Sequence, residues 1–125
     1  MSPVKTVSIV DDDESVRNAI SSLVRSMGME SRVFSSANEF IDSGLEAESD
    51  CLITDIQMPG LSGTDLQQQL LAQGSKLPII VVTAYPDIAI RQHVLSNGAV
   101  CFLAKPFDAS ALIACIETAL KSSHP

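Results

Sequence analysis

Five residues with side chains suited to phosphoryl chemistry stand at the ends of four short apolar runs. Asp11 and Asp12 follow Val7-Ser8-Ile9-Val10, Asp55 follows Cys51-Leu52-Ile53-Thr54, Thr83 follows Ile79-Ile80-Val81-Val82, and Lys105 follows Cys101-Phe102-Leu103-Ala104. In a parallel α/β sheet such positions converge, because ligands bind in the crevice outside the carboxyl ends of the strands. Three carboxylates, a hydroxyl and an ammonium would then share one pocket. Carboxylates so close repel, and their pKa values rise unless a cation neutralises them. Magnesium meets that need with hard oxygen ligands, usually one or two carboxylates together with waters and phosphate oxygens. Asp12 and Asp55 are suited to ligate directly, and Asp11 through a water. With the charge screened, Asp55 can attack phosphorus as a covalent nucleophile. Lys105, the Thr83 hydroxyl and the Ala84 backbone N–H can then hold the phosphoryl oxygens. A single Asp after a strand is ordinarily a cap or turn former, and a single Lys ordinarily faces solvent. The register of four strand ends, with Pro106 directly after Lys105, is what carries the chemical reading.

The elements that must position these residues are legible in the spacing. After the first strand, Val16, Ala19, Ile20, Leu23, Val24 and Met27 recur at helical intervals, with Gly28 placed to end the helix in a left-handed conformation and Asp12 or Asp13 to cap its start. A short strand is expected around Arg32-Val33-Phe34. Ser36 and Glu39 match a capping box, in which each side chain satisfies the other's backbone N–H. Ser62 and Asp65 are the expected cap of a third helix through Leu66, Leu70 and Leu71, closed near Gly74. A fourth helix is expected from about Asp87 to Asn97, before Gly98, and a fifth from about Ser110 to Lys121. Strand and helix thus alternate five times. Strands this apolar on both faces require a parallel sheet covered by helices on both sides, a doubly wound α/β fold.

Composition narrows the function classes. With 125 residues and 46% hydrophobic content the chain can bury one core and is too short for two ordinary domains. A net charge of −7, with no run of Lys or Arg, offers nothing to the phosphates of DNA or RNA or to an acidic membrane surface. No segment reaches the roughly 18 consecutive apolar residues of a membrane span, and the N-terminus lacks a secretory apolar region. The expected location is the cytoplasm. Cys51, Cys101 and Cys115 form no CxxC pair and have no His at ligand spacing, so a zinc site is not expected. All three are expected as buried, reduced thiols. His93 and His124 are expected at the surface.

The segments Ile9-Val-Asp-Asp-Asp-Glu-Ser-Val-Arg17, Thr54-Asp-Ile-Gln-Met-Pro-Gly60 with Ser62-Gly63, Val82-Thr-Ala84 and Leu103-Ala-Lys-Pro-Phe107 resemble the receiver domains of two-component response regulators. Asp11-Asp-Asp13, Tyr85-Pro-Asp87 and Gly98-Ala-Val-Cys-Phe102 resemble the FixJ-like branch of that family. The resemblance spans nearly the whole chain. It implies one receiver domain over residues 1–125 and a five-stranded sheet in the order 2-1-3-4-5 flanked by five helices; the polar composition of 121–125 is what reads as the start of a linker. It makes Asp55 the phosphoacceptor, Asp11 and Asp12 the acidic pair, and Gln57 a metal ligand through its backbone carbonyl. Thr83 becomes the switch hydroxyl, Lys105 the phosphate-contacting base and Phe102 the switch aromatic, without the hydroxyl of the tyrosine often found in relatives. Lys105-Pro106 matches the family's cis peptide. The implied cofactor is Mg2+, with Mn2+ as a substitute. The implied partners are a sensor histidine kinase, a second copy of the chain in a phosphorylation-dependent homodimer, and a C-terminal DNA-binding output domain outside this chain. Gln57 and Tyr85, two residues beyond Asp55 and Thr83, can flank the path of a water attacking the acyl phosphate.

Two other functions compete with a phosphorylation-controlled switch. Haloacid-dehalogenase-type phosphatases also use a strand-end Asp nucleophile with magnesium, but they need a second Asp two residues later as acid and base. Here that position is Gln57, which cannot transfer the proton. A binding module that has lost phosphorylation is the other, and the presence of Asp11, Asp12, Asp55, Thr83 and Lys105 together argues against it.

Overall fold

The computed structural model describes residues 4–58 and 60–122; Pro59 of the turn, His124 and the polar tail beyond Ser122 lie outside them. The five strands are β1 (Thr6–Val10), β2 (Glu30–Phe34), β3 (Cys51–Asp55), β4 (Ile79–Thr83) and β5 (Cys101–Ala104). The helices between and after them are α1 (Glu14–Ser26), α2 (Ala37–Ser43), α3 (Gly63–Ala72), α4 (Ile88–Ser96) and α5 (Ala109–Ser122). All neighbouring strands pair in parallel, in the order β2-β1-β3-β4-β5. The register aligns the strand ends, with Val10 opposite Thr54, Asp55 opposite Val82 and Thr83 opposite Ala104. Because the chain leaves β1 for β2 on one side and returns to β3 on the other, the crevice opens at the ends of β1 and β3.

The unbroken apolar runs follow from burial on both faces. Val7, Ile9, Cys51, Ile53, Ile80 and Val82 face one core with Ile20 and Val24 of α1 and Leu112, Ile116 and Ala119 of α5. The alternate residues Val10, Leu52, Ile79 and Val81 face the other, with Phe40 of α2, Leu66 and Leu70 of α3 and Val94 of α4. Adjacent strand residues point to opposite faces, so each needs its own apolar partner layer.

Local signals mostly formed as expected. The Asp13 carboxylate accepts from the N–H groups of Ser15 and Val16, which makes Asp13 the cap of α1 and leaves Asp12 free of that role. Ser62 and Asp65 form a reciprocal capping box at α3, and Asp87 caps α4. At α2 only half of the expected box is present. Ser36 accepts from the Glu39 N–H at 3.1 Å, but the Glu39 carboxylate turns to Ser35, taking its hydroxyl at 2.7 Å and its N–H at 3.4 Å. An exposed hydroxyl one residue earlier outcompetes the cap's own amide. Gly28 closes α1 with φ +83°, where a Cβ would be strained. The β2 strand begins at Glu30, two residues before the expected run, because parallel pairing to Thr6 extends it. His93 is exposed on α4, as expected.

One expectation is overturned. Cys101 opens β5, Cys115 lies on α5, their Cα atoms are 6.1 Å apart and their sulfurs are joined in a disulfide. Cys51 alone is a free buried thiol, its pKa pushed up to about 12 by burial and, secondarily, by the charge of Asp50. The pair is separated by 14 residues and meets because α5 folds back across the edge strand, a contact that chain spacing does not encode.

Phe40 is fully buried, and its ring stands edge-on to that of Phe34 with centroids 5.3 Å apart. In urea unfolding, Phe40→Ala is expected to cost about 3–5 kcal/mol through cavity formation. Leu71→Ala, on the exposed side of α3, should stay within about 0.5 kcal/mol of the parent.

Candidate functional site

The aligned strand ends bring one oxygen from each of Asp11, Asp12 and Asp55 within 4.8 Å of one another. Asp11 and Asp55 are buried and Asp12 is exposed, so the cluster forms the floor and rim of an open cleft. Asp12, Asp55, Gln57, Ala84, Tyr85 and Lys105 line that cleft. The Lys105 ammonium donates to Asp11 Oδ2 at 2.8 Å and to Asp55 Oδ2 at 3.1 Å, joining β5 to β1 and β3.

Each carboxylate is held by its own local structure. Asp11 Oδ1 accepts the Asp13 N–H at 2.9 Å, so both Asp11 oxygens are engaged inside the protein. Asp55 Oδ1 accepts from the N–H of Ile56 at 2.7 Å, which orients the carboxylate as the chain leaves β3. Thr83 is buried, with its Oγ1 accepting the Tyr85 N–H at 3.1 Å, and the Lys105 N–H donates to the Thr83 carbonyl at 2.7 Å. The Lys105-Pro106 peptide is cis, as expected. Phe102 is half-buried against the α3–α4 core, on the face of β5 away from Cys101, and so lies beside the cleft's supporting layer and contributes nothing to its lining.

Two supporting residues had no assigned role from the sequence. Arg17, in the first turn of α1, donates through Nη1 to the Asp11 carbonyl at 2.9 Å and ties the helix to the acidic loop. Gly63 begins α3 directly beneath the end of β3. A Cβ there would collide with the Asp55 carbonyl oxygen and lie 2.9 Å from the Ile56 Cα, and the Gly63 N–H donates to the Ile56 carbonyl at 2.8 Å. The need for glycine at this position is therefore steric. Gly63→Ala is expected to cost about 1–3 kcal/mol by overpacking, read from urea unfolding, and to displace Asp55.

Burial pushes the Asp55 carboxyl up; Lys105 pulls it down, Asp11 pushes it up again, and the balance lies above its ordinary value. The ion pair with Lys105 therefore does not offset the cost of removing this carboxylate from water. Burial lowers Lys105, but its hydrogen bond to Asp11 and the charges of Asp11 and Asp55 lift it above its ordinary value. The Lys105 contribution to stability is thus complete below the usual Lys range and is lost as pH rises through the folded value. Asp55 runs the other way from a typical paired acid. Ionising it costs folding free energy, so its penalty is absent below the usual Asp range and is fully present above the raised folded value. Without divalent metal, Asp55→Asn is expected to melt above the parent at pH 7. Thermal unfolding across pH should show the difference closing as pH falls through the carboxylate range.

Comparison with known proteins matches this geometry. Residues 7–117 match the model of the response regulator receiver domain. The transcriptional regulatory protein FixJ of Azorhizobium caulinodans is 37% identical over 117 residues, covering 94% of this chain and 56% of the relative. The response regulator protein TodT of Pseudomonas putida is 42% identical over 113 residues, covering 90% of this chain and 50% of the relative. The chain thus spans about half the length of these curated relatives. Among solved structures, the crystal structure of FixJ-N superposes with a TM-score of 0.84 at 32% identity, covering 99% of this chain and 98% of that one. The response regulator StyR superposes with a TM-score of 0.88 at 40% identity, covering 95% and 60%. With the parallel order 2-1-3-4-5, the acidic cleft and a match over most of its length, the chain belongs to the response regulator receiver domain family.

Proposed function

We propose that this chain is a phosphorylation-controlled switch of a two-component system, in which Asp55 takes a phosphoryl group from a sensor histidine kinase. The observation that carries it is the convergence of Asp11, Asp12 and Asp55 around an ammonium from a fourth strand end. Three carboxylates within 4.8 Å, one of them exposed, suit a hard divalent cation. Asp12 and Asp55 would hold Mg2+ directly, with the Gln57 carbonyl as a further ligand and Asp11, whose two oxygens are engaged, acting through water. Mn2+ would substitute. Bound there, the cation screens the carboxylates and the charge that develops on the phosphoryl oxygens.

The chain's own residues supply the rest. An Asp55 oxygen attacks phosphorus, the phosphorus–nitrogen bond of the donor phosphohistidine breaks, and the new bond is an acyl phosphate. Lys105, already within reach of Asp55, moves from pairing with its carboxylate to pairing with a phosphoryl oxygen. The Thr83 hydroxyl and the Ala84 N–H take the other oxygens. Drawing Thr83 inward releases the Tyr85 N–H and opens space toward Phe102, whose ring can turn in and reshape the face formed by α4, β5 and α5. The favoured state gains only the differential contacts that phosphate makes in it. Gln57 and Tyr85, both exposed at the cleft, would govern water access and hence slow self-dephosphorylation. The domain is a switch and not a turnover enzyme. No helix among the described residues is long and apolar enough to cross a membrane, and the proposed setting is the cytoplasm. The remodelled face would pair two copies and control a DNA-binding output domain, consistent with relatives about twice as long.

With acetyl phosphate and magnesium, the parent should gain one phosphoryl group by intact mass, and Asp55→Asn none. Asp12→Asn should weaken magnesium binding by at least the roughly tenfold that even an outer partner's loss costs at metal sites, while Asp13→Asn, which alters a helix cap, should change it little. Phosphate mapping to any other residue would sink the assignment.

A further inference from the structure

The Cys101–Cys115 bond has no part in phosphoryl transfer. It lies on the α5 side of the sheet, at the start of β5, while the cleft lies at the opposite ends of the strands. β5 is an edge strand of four residues, paired on one side only. Cys101 sits on one face of it and Phe102 on the other, and Lys105 follows directly after its last residue. A covalent tie from Cys101 to α5 therefore restrains the strand that carries Phe102 and leads directly into Lys105.

Persistent structural disulfides are rare in reducing compartments, where those that form are usually transient or redox-sensing. The inference rests on the proposed cytoplasmic setting in that one respect. The geometry suits reversible chemistry. The Cα separation of 6.1 Å lies within the usual disulfide range, so bonding requires no backbone movement. Cys101 is half-buried at the edge of the sheet, whereas Cys115 is buried on the helix. The remaining thiol, Cys51, is fully buried and held protonated by that burial, so it neither attacks the bond nor reshuffles it.

We propose that Cys101 and Cys115 form a reversible thiol–disulfide site, closed by a low-molecular-weight disulfide and opened by a thiol reductant, that fixes α5 to the edge strand β5. In closing, the Cys101 thiolate attacks one sulfur of oxidised glutathione and expels one glutathione thiolate. The Cys115 thiolate then attacks the Cys101 sulfur of the mixed disulfide and expels the second. The protein gives up two electrons and two protons, and oxidised glutathione takes up both. Opening is the reverse.

The test equilibrates the parent chain in glutathione buffers from fully reduced to largely oxidised, then quenches in acid, denatures, alkylates and weighs it. Three alkyl groups are expected at the reducing end and one at the oxidising end, that one mapping to Cys51. Cys51→Ser should still cycle, between two groups and none; Cys101→Ser and Cys115→Ser should never form the internal bond. Three alkyl groups throughout the series, or accumulation of the Cys101–glutathione adduct without closure, would overturn the site. Hydrogen exchange reads the restraint. Closing a loop of this length slows global-opening-limited exchange of α5 amides by about a hundredfold, and equal protection in both redox forms would overturn the clamp. Phosphoryl uptake from acetyl phosphate is measured on the same samples. Its loss in both redox forms would strike the phosphoryl-acceptor reading alone and leave the thiol count standing.

Discussion

The ammonium of Lys105 lies between Asp11 and Asp55, 2.8 and 3.1 Å from their Oδ2 atoms, and the rest of the cleft is organised around that bridge. It is the positive side chain paired with this cluster among the described residues, and it comes from β5, at the opposite edge of the sheet from β2. Burial keeps the Asp55 carboxyl above its ordinary value despite the pair. The cleft is therefore under-neutralised, with three carboxylates against one ammonium. Such a site would gain from a divalent cation, and under the proposed function Lys105 would gain a phosphoryl oxygen to pair with once Asp55 carries an acyl phosphate. A structural ion pair satisfied within itself would offer neither gain.

The fold keeps this strained electrostatic arrangement in place by spreading its supports over several elements. Asp13, spent on capping α1, also fixes Asp11 through its backbone N–H, and Arg17 ties the first turns of α1 to the Asp11 carbonyl. Gly63 lets α3 begin against the end of β3, where any side chain would push on Asp55. Thr83 is buried at the end of β4, and Phe102 packs in the layer on the α4 side of the sheet. The layer behind Phe102 includes α4, which buries only Val94 fully, with Ile90 and Leu95 half-buried beside it and the Gln67 side-chain amide donating to the Val94 carbonyl.

The alternation of elements, the doubly wound class and the chemical content of the site were legible because they are written in local chemistry. Apolar runs bounded by Asp, Thr and Lys mark strand ends, i/i+3/i+4 spacing marks helices, and Ser62, Asp65, Asp87 and Gly28 act within a turn of where they stand. These signals depend on neighbours a few residues away, so the chain order preserves them. The strand order came through family resemblance, since nothing in the spacing alone ranks β3 beside β1.

What the chain order could not carry were choices made by residues distant in sequence. Whether Asp12 or Asp13 caps α1 depended on which carboxylate the fold turned toward the cleft. Cys101 and Cys115 read as two separate hydrophobes in two apolar runs until α5 packed back across β5 and brought their Cα atoms to 6.1 Å. The steric demand at Gly63 exists only because the end of β3 passes against it. The sequence by itself determined which groups were available and which local structures they nucleate, because those depend on short-range sterics and hydrogen bonding. Only the tertiary structure decided which groups meet, because contacts such as Lys105 with Asp11, 94 residues apart, are set by the packing of the whole sheet.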